Sequence, residues 1–244
     1  MIDIHCHILP GVDDGADTPD TSLMMAAMAV DDHERALIAT PHLMWDRNFS
    51  NETIAKIQKV YAEFCESLKK ANLPIVCRLG AEVLCAEVGE VMIRRGLFPR
   101  IAGTSFSLVE FYFDESPAKM NACLREISAS GITPVVAHPE RYSALQKQKK
   151  LLEQWSEQGY YLQVNKGSIY GQFGKKAKKT AEWMLENRVA DLWATDAHNV
   201  NGRTTRSAAA IKDLKARYGE DYTKLITDIN PYLLLQNKKL KSIR

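Results

Sequence analysis

Seven short apolar runs, each followed by a longer stretch of helical spacing, leave this chain few ways to fold. The runs are Ile2–His5, Ala36–Thr40, Ile75–Gly80, Phe106–Phe111, Thr133–His138, Tyr160–Val164 and Asp191–Thr195. The helical patterns are Thr21–Arg35, Asn51–Ala71, Glu87–Arg95, Ala118–Ser130, Ser143–Gln158, Lys175–Arg188 and Arg203–Tyr218, with further helical turns near Tyr222–Ile229 and Pro231–Lys239. A strand that returns through a helix to the next strand makes a parallel, right-handed crossover, and seven of these in about 200 residues suit a closed α/β barrel better than two open sheets. The 244 residues contain no linker or low-complexity tract, so the expectation is one domain over 1–244.

Composition removes several function classes. With 45% hydrophobic and 25% charged residues the chain can bury a full core and is too apolar to be disordered. Its formal charge of +2, from 32 basic and 30 acidic side chains, implies no nucleic-acid or membrane-surface partner. The basic patch Lys175-Lys176-Ala177-Lys178-Lys179 reads as the solvated start of a helix. The N-terminus lacks the pattern of a secretory signal, and no apolar run approaches the roughly 18 residues that span a bilayer. Five cysteines without a Cys-x-x-Cys pair fit neither a disulfide framework nor a thiolate zinc site, which suggests a reduced, cytoplasmic chain. Cys6 and Cys77 read as small core residues, and Met24, Met25 and Met28 as core or contact surface. Methionine and aromatic side chains left at the surface would permit a homo-oligomer.

The histidines carry the chemistry. His5 and His7 close the first run, His42 follows the second, His138 ends the fifth and His198 follows the seventh; His33 falls in a helical pattern and reads as a surface residue. Carboxylates share these places: Asp13 and Asp14 after the first run, Glu82 after the third, Glu110 in the fourth and Asp196 beside His198. In a parallel barrel the carboxyl ends of all strands converge on one rim, so five imidazoles and at least four carboxylates should meet there. Carboxylates so crowded cannot all ionise without counter-ions, and divalent metals would supply them. The period of two places His5 and His7 on one side of the strand and Cys6 on the other. Nitrogen and oxygen donors suit Mn²⁺, Fe²⁺ or Zn²⁺, with Co²⁺ a further candidate for a metal screen. The donors are too many for one ion, so two or three are expected.

Three divalent ions against Asp14, Glu82, Glu110 and Asp196 leave a surplus of about two positive charges, suited to a phosphoryl dianion. A hydroxide held by such ions is a nucleophile at neutral pH. Arg141, just after the fifth run, and Arg203, after the seventh, could each hold two phosphate oxygens. A cysteine-nucleophile phosphatase is excluded, because the residues six past each cysteine are Val12, Ala71, Val83, Val91 and Ala129, none an arginine. The segment Gly167–Lys175 also fails as a phosphate-binding P-loop.

With these residues in view, the chain resembles the PHP (polymerase and histidinol phosphatase) superfamily, and within it the capsule and exopolysaccharide tyrosine-protein phosphatases of the CpsB/CapC/YwqE type. The resemblance rests on Ile2–Gly15, Ala39–His42, Gly80–Glu82, Val109–Phe111, His138–Tyr142, Gln163–Asn165 with Gly167-Ser168, Phe173–Ala177 and Thr195–Asn199. It implies a distorted (β/α)7 TIM-like barrel, the PHP fold, with outer helices and a usually manganese-dependent trinuclear centre. Its metal ligands would be His5, His7, Asp14, His42, Glu82, Glu110, His138, Asp196 and His198, with Arg141 on the phosphate. It implies a natural target in the phosphotyrosine tail of a bacterial tyrosine kinase that controls polysaccharide assembly. Cys6 stands where serine is usual, and Leu43-Met44-Trp45 replaces more polar residues, which bears on substrate preference. Rival readings are a PHP phosphoesterase for a small phosphomonoester such as histidinol phosphate, and a binding module with structural metals.

Overall fold

In the computed structural model, which describes residues 1–44, 50–85 and 98–243, the alternation of the sequence becomes nine strands in two parallel sheets. One sheet is β1 (Ile2–Cys6), β2 (Ala36–Ala39) and β4 (Val76–Leu79), in that order. The other runs β3 (His42–Met44), β5 (Glu82–Leu84), β6 (Phe106–Glu110), β7 (Thr133–Ala137), β8 (Tyr161–Asn165), β9 (Leu192–Ala194). Seven strands were expected. The second and third are each broken, at Thr40-Pro41 and at Gly80-Ala81, so that each contributes a segment to both sheets. Proline has no N–H for a ladder bond, which accounts for the first break. Backbone bonds carry the sheet across the gaps: Gly80 N donates to Ala39 O at 2.8 Å and Glu82 N to Pro41 O at 3.1 Å. The last strand returns to the first through a Cys6–Ala197 bridge, with His7 N donating to Ala197 O at 2.8 Å and Asp196 N to His5 O at 2.9 Å. The fold is a distorted (β/α)7 barrel.

Helices alternate with these strands where the sequence supplies start signals. Thr18 accepts from Thr21 N ahead of α1 (Pro19–Asp31), and Ser50 accepts from Thr53 N ahead of α2 (Asn51–Lys70). Ser116 caps α3 (Pro117–Ala129), which like α1 begins with proline, the residue best suited to that position. Three expected boundaries are corrected. The first helix ends at Asp31, so His33 lies beyond it in the left-handed region (φ 61°), its N–H closing onto Val30 O. The expected helix Ser143–Gln158 is two, α4 (Ser143–Lys147) and α5 (Lys150–Glu157); the break lets Leu151, Leu152 and Trp155 turn into the core. Residues 203–207 are loop, and α8 (Ala208–Tyr218) starts five residues later than expected. The chain between holds the short α6 (Lys166–Ile169) and α7 (Gly174–Glu186). It closes with α9 (Glu220–Lys224), a π-helical turn over Leu225–Ile229 and α10 (Asn230–Leu235). The expected helix Glu87–Arg95 and Trp45 lie outside the described residues.

Two apolar clusters hold the layers. The larger packs helix residues such as Met25, Phe64, Leu124, Trp155 and Met184 against outward-facing strand residues including Cys6, Cys77, Val109 and Trp193. The smaller joins Ile4, Ile38, Leu108, Val135, Ala137 and Leu192 to Leu234 and Leu240 from the C-terminal segment. Met25 is core, whereas Met24 is exposed. Among the described residues no helix is long and apolar enough to cross a membrane.

Candidate metal centre

Strand ends deliver the polar residues. His5 lies in β1 and His7 just beyond it; His42 begins β3 and Glu82 begins β5, and these two are Cα partners in the ladder. Glu110 ends β6 opposite Leu84, so it shares the face of Glu82 one step further along. His138 and Asp196 follow β7 and β9 in left-handed conformations, φ 34° and 51°, which turn each side chain off the strand's regular alternation. The structure brings all nine sequence-predicted residues into one connected cluster. Their donor atoms form four overlapping groups: His7, Asp14, His42 and His198; His5, His7 and Asp196; His5, Glu82 and His138; His42, Glu82 and Glu110. Glu82 sits at the middle, 3.1 Å from His5 Nε2, 3.2 Å from His7 Nε2, 3.3 Å from His42 Nδ1 and 2.7 Å from His138 Nε2. Asp14 is the solvent-side member, its side chain 66% exposed, with Oδ1 3.5 Å from His42 Nε2 and 3.4 Å from His198 Nε2.

The chemistry of this donor set fits divalent cations. His5 Nε2 and His7 Nε2 face each other at 3.1 Å. The opposite nitrogens are engaged, His5 Nδ1 at 2.9 Å from Gln163 Oε1 and His7 Nδ1 at 2.7 Å from Asp13 Oδ2. An imidazole that donates from Nδ1 has a bare lone pair on Nε2, so two such lone pairs converge beside the carboxylates of Glu82 and Asp196. A histidine whose outer N–H is held by a carboxylate or carbonyl is the arrangement metal sites use to orient their ligands.

Protons compete for the same lone pairs. Burial opposes charge on His5, yet Glu82 and Asp196 raise its pKa. Burial likewise opposes charge on His7, which Asp13 and Glu82 push well above the usual range. His42 is pushed up to about 9 as its contacts with Glu110 and Glu82 outweigh burial. On the acidic side, His5 and His138 hold Glu82 well below the carboxylate range against the cost of burial. Asp196 is lowered against burial by His5 and Arg203, and Asp14 by its bond to His198.

Both predicted arginines reach this cluster through Asp196. Arg203 Nη2 lies 2.5 Å from Asp196 Oδ1, and Arg141 Nη1 lies 3.5 Å from Oδ2. The Arg141 guanidinium is stacked between two rings, 4.3 Å from the centroid of Phe113 and 4.1 Å from that of Phe173. A cavity of about 260 Å³ opens over the cluster, lined by His42, Glu82, Glu110, His138, Asp196 and both arginines together with Leu84, Phe111, Tyr112 and Phe113. A larger cavity of about 440 Å³, bordered by Ile57, Tyr61, Arg78 and Arg100, contains none of the nine donors.

Sequence reasoning missed several participants. Asp13 was noted without a role; its carboxylate accepts from His7 Nδ1 and from the backbone N–H groups of Gly15 and His42. Glu140, fully buried, accepts from Asn165 N and Ser168 Oγ and ties the Arg141 segment to the end of β8. Phe113 and Phe173 carry no polar signal that would have marked them. Cys6 packs in the larger apolar cluster, away from the donors. The Lys175–Lys179 stretch forms the first turns of α7 with Lys175, Lys176 and Lys179 exposed.

Fold and site together define a class, a parallel α/β barrel whose carboxyl rim is crowded with imidazoles and carboxylates. The chain belongs to the CpsB/CapC family: the family model described as capsular polysaccharide synthesis, CpsB/CapC, matches residues 1–236. It is 34% identical over 241 residues to the tyrosine-protein phosphatase YwqE of Bacillus subtilis (strain 168), covering 98% of this chain and 93% of that protein. It is 28% identical over 243 residues to the tyrosine-protein phosphatase CpsB of Streptococcus pneumoniae, covering 98% and 99%. The crystal structures of YwqE from Bacillus subtilis and CpsB from Streptococcus pneumoniae, described as unique metal-dependent tyrosine phosphatases, include a chain that superposes with a TM-score of 0.87 at 32% identity, covering 99% of this chain and 97% of that one. A dihydropyrimidinase from Brevibacillus agri, 10% identical with a TM-score of 0.57 over 99% of this chain, shares the fold alone.

Proposed function

We propose that the chain is a metal-dependent protein-tyrosine phosphatase, acting as one domain over 1–244. The observation that carries this reading is the convergence of five imidazoles and four carboxylates on one rim with two arginines at its mouth. His5, His7, Asp14, His42, Glu82, Glu110, His138, Asp196 and His198 would hold two or three ions, Mn²⁺ in first place. When bound, such ions supply Lewis acidity and make water a competent nucleophile at neutral pH.

The protein's own residues do the remaining work. Arg141, its guanidinium packed on Phe113 and Phe173, offers two parallel donors to phosphoryl oxygens. Arg203 balances the charge of Asp196 and adds a second cation at the mouth. The apolar lining residues Leu84, Phe111 and Phe113 offer contacts to a phenyl ring, which fits a tyrosyl leaving group. The family's link to capsular polysaccharide synthesis and the relatives' names as tyrosine-protein phosphatases support a phosphotyrosyl protein as substrate; the partner in this reading is the phosphotyrosine tail of a bacterial tyrosine kinase, met in the cytoplasm.

His42→Ala and Glu82→Ala should each abolish hydrolysis of phosphotyrosyl peptide while circular dichroism stays native. Near-wild-type rates from either variant in added Mn²⁺ would overturn the site. With the metal fixed, kcat/KM should favour phosphotyrosyl peptides over histidinol phosphate; the reverse order would mark a small-molecule phosphoesterase.

A further inference from the structure

The triplet Gln163-Val164-Asn165 at the end of β8 lies outside the nine donors, yet both its polar side chains are fully buried beside them. They form a chain. His5 Nδ1 meets Gln163 Oε1 at 2.9 Å, Gln163 Nε2 donates to Asn165 Oδ1 at 2.7 Å, and Asn165 Nδ2 donates to Asp196 Oδ2. The direction of every bond follows from the last. An ionised carboxylate only accepts, so Asn165 must turn its NH2 to Asp196 and its oxygen to Gln163. Gln163 must then donate to Asn165 and present its own oxygen to His5, whose Nδ1 therefore carries the proton of the neutral ring, with Nε2 bare in that form. That bare Nε2 lies 3.4 Å from Asp196 Oδ1, so the two ends of the chain meet again on the other side, inside the group His5, His7 and Asp196. Asn165 is further fixed by its own N–H, which donates to Glu140 Oε1 at 3.0 Å.

We infer that Gln163 and Asn165 are positioning residues: a one-way amide relay through which Asp196 sets the Nδ1–H form of His5, so that His5 Nε2, His7 Nε2 and Asp196 Oδ1 stand ready for one divalent ion. The inference rests on the metal reading above. His7 obtains the same orientation from the carboxylate of Asp13. Two amides pass the orientation on to His5 without adding a charge to a fully buried position.

The test uses the full chain stripped with chelator and titrated with Mn²⁺ alone, free Mn²⁺ being read by electron paramagnetic resonance, alongside the thermal midpoint of the stripped protein. Asn165→Asp keeps the shape and adds negative charge but sets acceptor against acceptor at Asp196. The relay predicts that one of the bound ions weakens by about 10- to 100-fold, the range seen when second-layer partners of metal ligands are removed. A purely electrostatic role predicts tighter binding and a purely packing role predicts no change; either result overturns the relay. Gln163→Met keeps volume and neutrality while removing both bonds, and should weaken the same ion with little change in the midpoint of the stripped protein. It decides the question alone if Asn165→Asp does not fold, and wild-type affinity in it would overturn the relay. Failure of the wild-type chain to bind Mn²⁺ would instead sink the metal reading.

Discussion

Replacing Arg141 by lysine separates the shape of this side chain from its charge. The side chain is 17% exposed, its guanidinium stacked at 4.3 and 4.1 Å on Phe113 and Phe173, and its Nη1 lies 3.5 Å from Asp196. Lysine keeps the cation but loses the planar fork, and with it one of two charge-assisted bonds to the phosphoryl group, about 1.5–3 kcal/mol. At 1.36 kcal/mol per decade that is a fall of about 10- to 150-fold in kcat/KM. Phe173→Leu leaves the arginine and removes one plate, a cation–π contact of about 0.5–1 kcal/mol, for a fall of about two- to five-fold. Arg141→Ala should exceed both. The assay is steady-state hydrolysis of p-nitrophenyl phosphate and of a phosphotyrosyl peptide at saturating Mn²⁺, with the metal content of each variant measured. An Arg141→Lys enzyme within three-fold of wild type would refute the fork, and Phe173→Leu as damaging as Arg141→Ala would show that the ring acts by something other than holding the arginine.

Gly15→Ala should disturb the centre from outside it: a Cβ there would come within 2.5 Å of His7 Cβ and press on the His7 carbonyl, so the loop that carries Asp13 and Asp14 must shift. Mn²⁺ stoichiometry by elemental analysis should drop below that of wild type; an unchanged ion count would remove the claim. Glu34 is buried, and burial together with the charge of Asp3 raises its carboxyl well above 4.5. A raised acid binds a proton in the native state that the unfolded chain has released, so its stabilising share is complete below about 4.5 and is lost as pH climbs through the native value. Glu34→Gln should therefore gain thermal midpoint relative to wild type at pH 8 and not at pH 4, and equal differences at both pH values would contradict this sign.

Much of the centre was legible in the sequence because a barrel converts position along the chain into position in space. Each of His5, His42, His138 and His198 sits at the end of an apolar run, and a parallel barrel has only one place for such ends to meet. The division of labour in the Asp13-Asp14 pair was less visible. Their chemistry is identical, and only the loop geometry turns Asp13 back to His7 and Asp14 out toward His42 and His198. The Gln163–His5 bond joins residues 158 positions apart, and no periodicity in either segment encodes it. Helix ends were misjudged where tertiary contacts overrode the pattern. At 203–207, Thr205 Oγ1 bonds Met25 O and Arg206 pairs with Asp31 and Asp32, which holds in loop form a segment whose spacing reads as helix.

The irregularities of the barrel and the placement of its donors are one phenomenon. A regular strand points every second residue inward and gives one rim position per strand. The break at Thr40-Pro41 starts a new segment at His42, and the break at Gly80-Ala81 starts another at Glu82, and the two new segments pair with each other in register. His42 and Glu82 thereby become lateral neighbours at the mouth while β2 and β4 below them stay paired in unbroken parallel register. His138 and Asp196 reach the same level by left-handed turns that cost non-glycine residues about 1–2 kcal/mol each. Such strain persists only where neighbouring bonds hold it: Arg141 N closes onto His138 O at 2.9 Å, and Asp196 N onto His5 O at 2.9 Å. The second of these bonds belongs to the seam that shuts the barrel, so the contact that completes the fold also sets Asp196 against His5. A chain that loses this seam should lose ion affinity before it loses its helices.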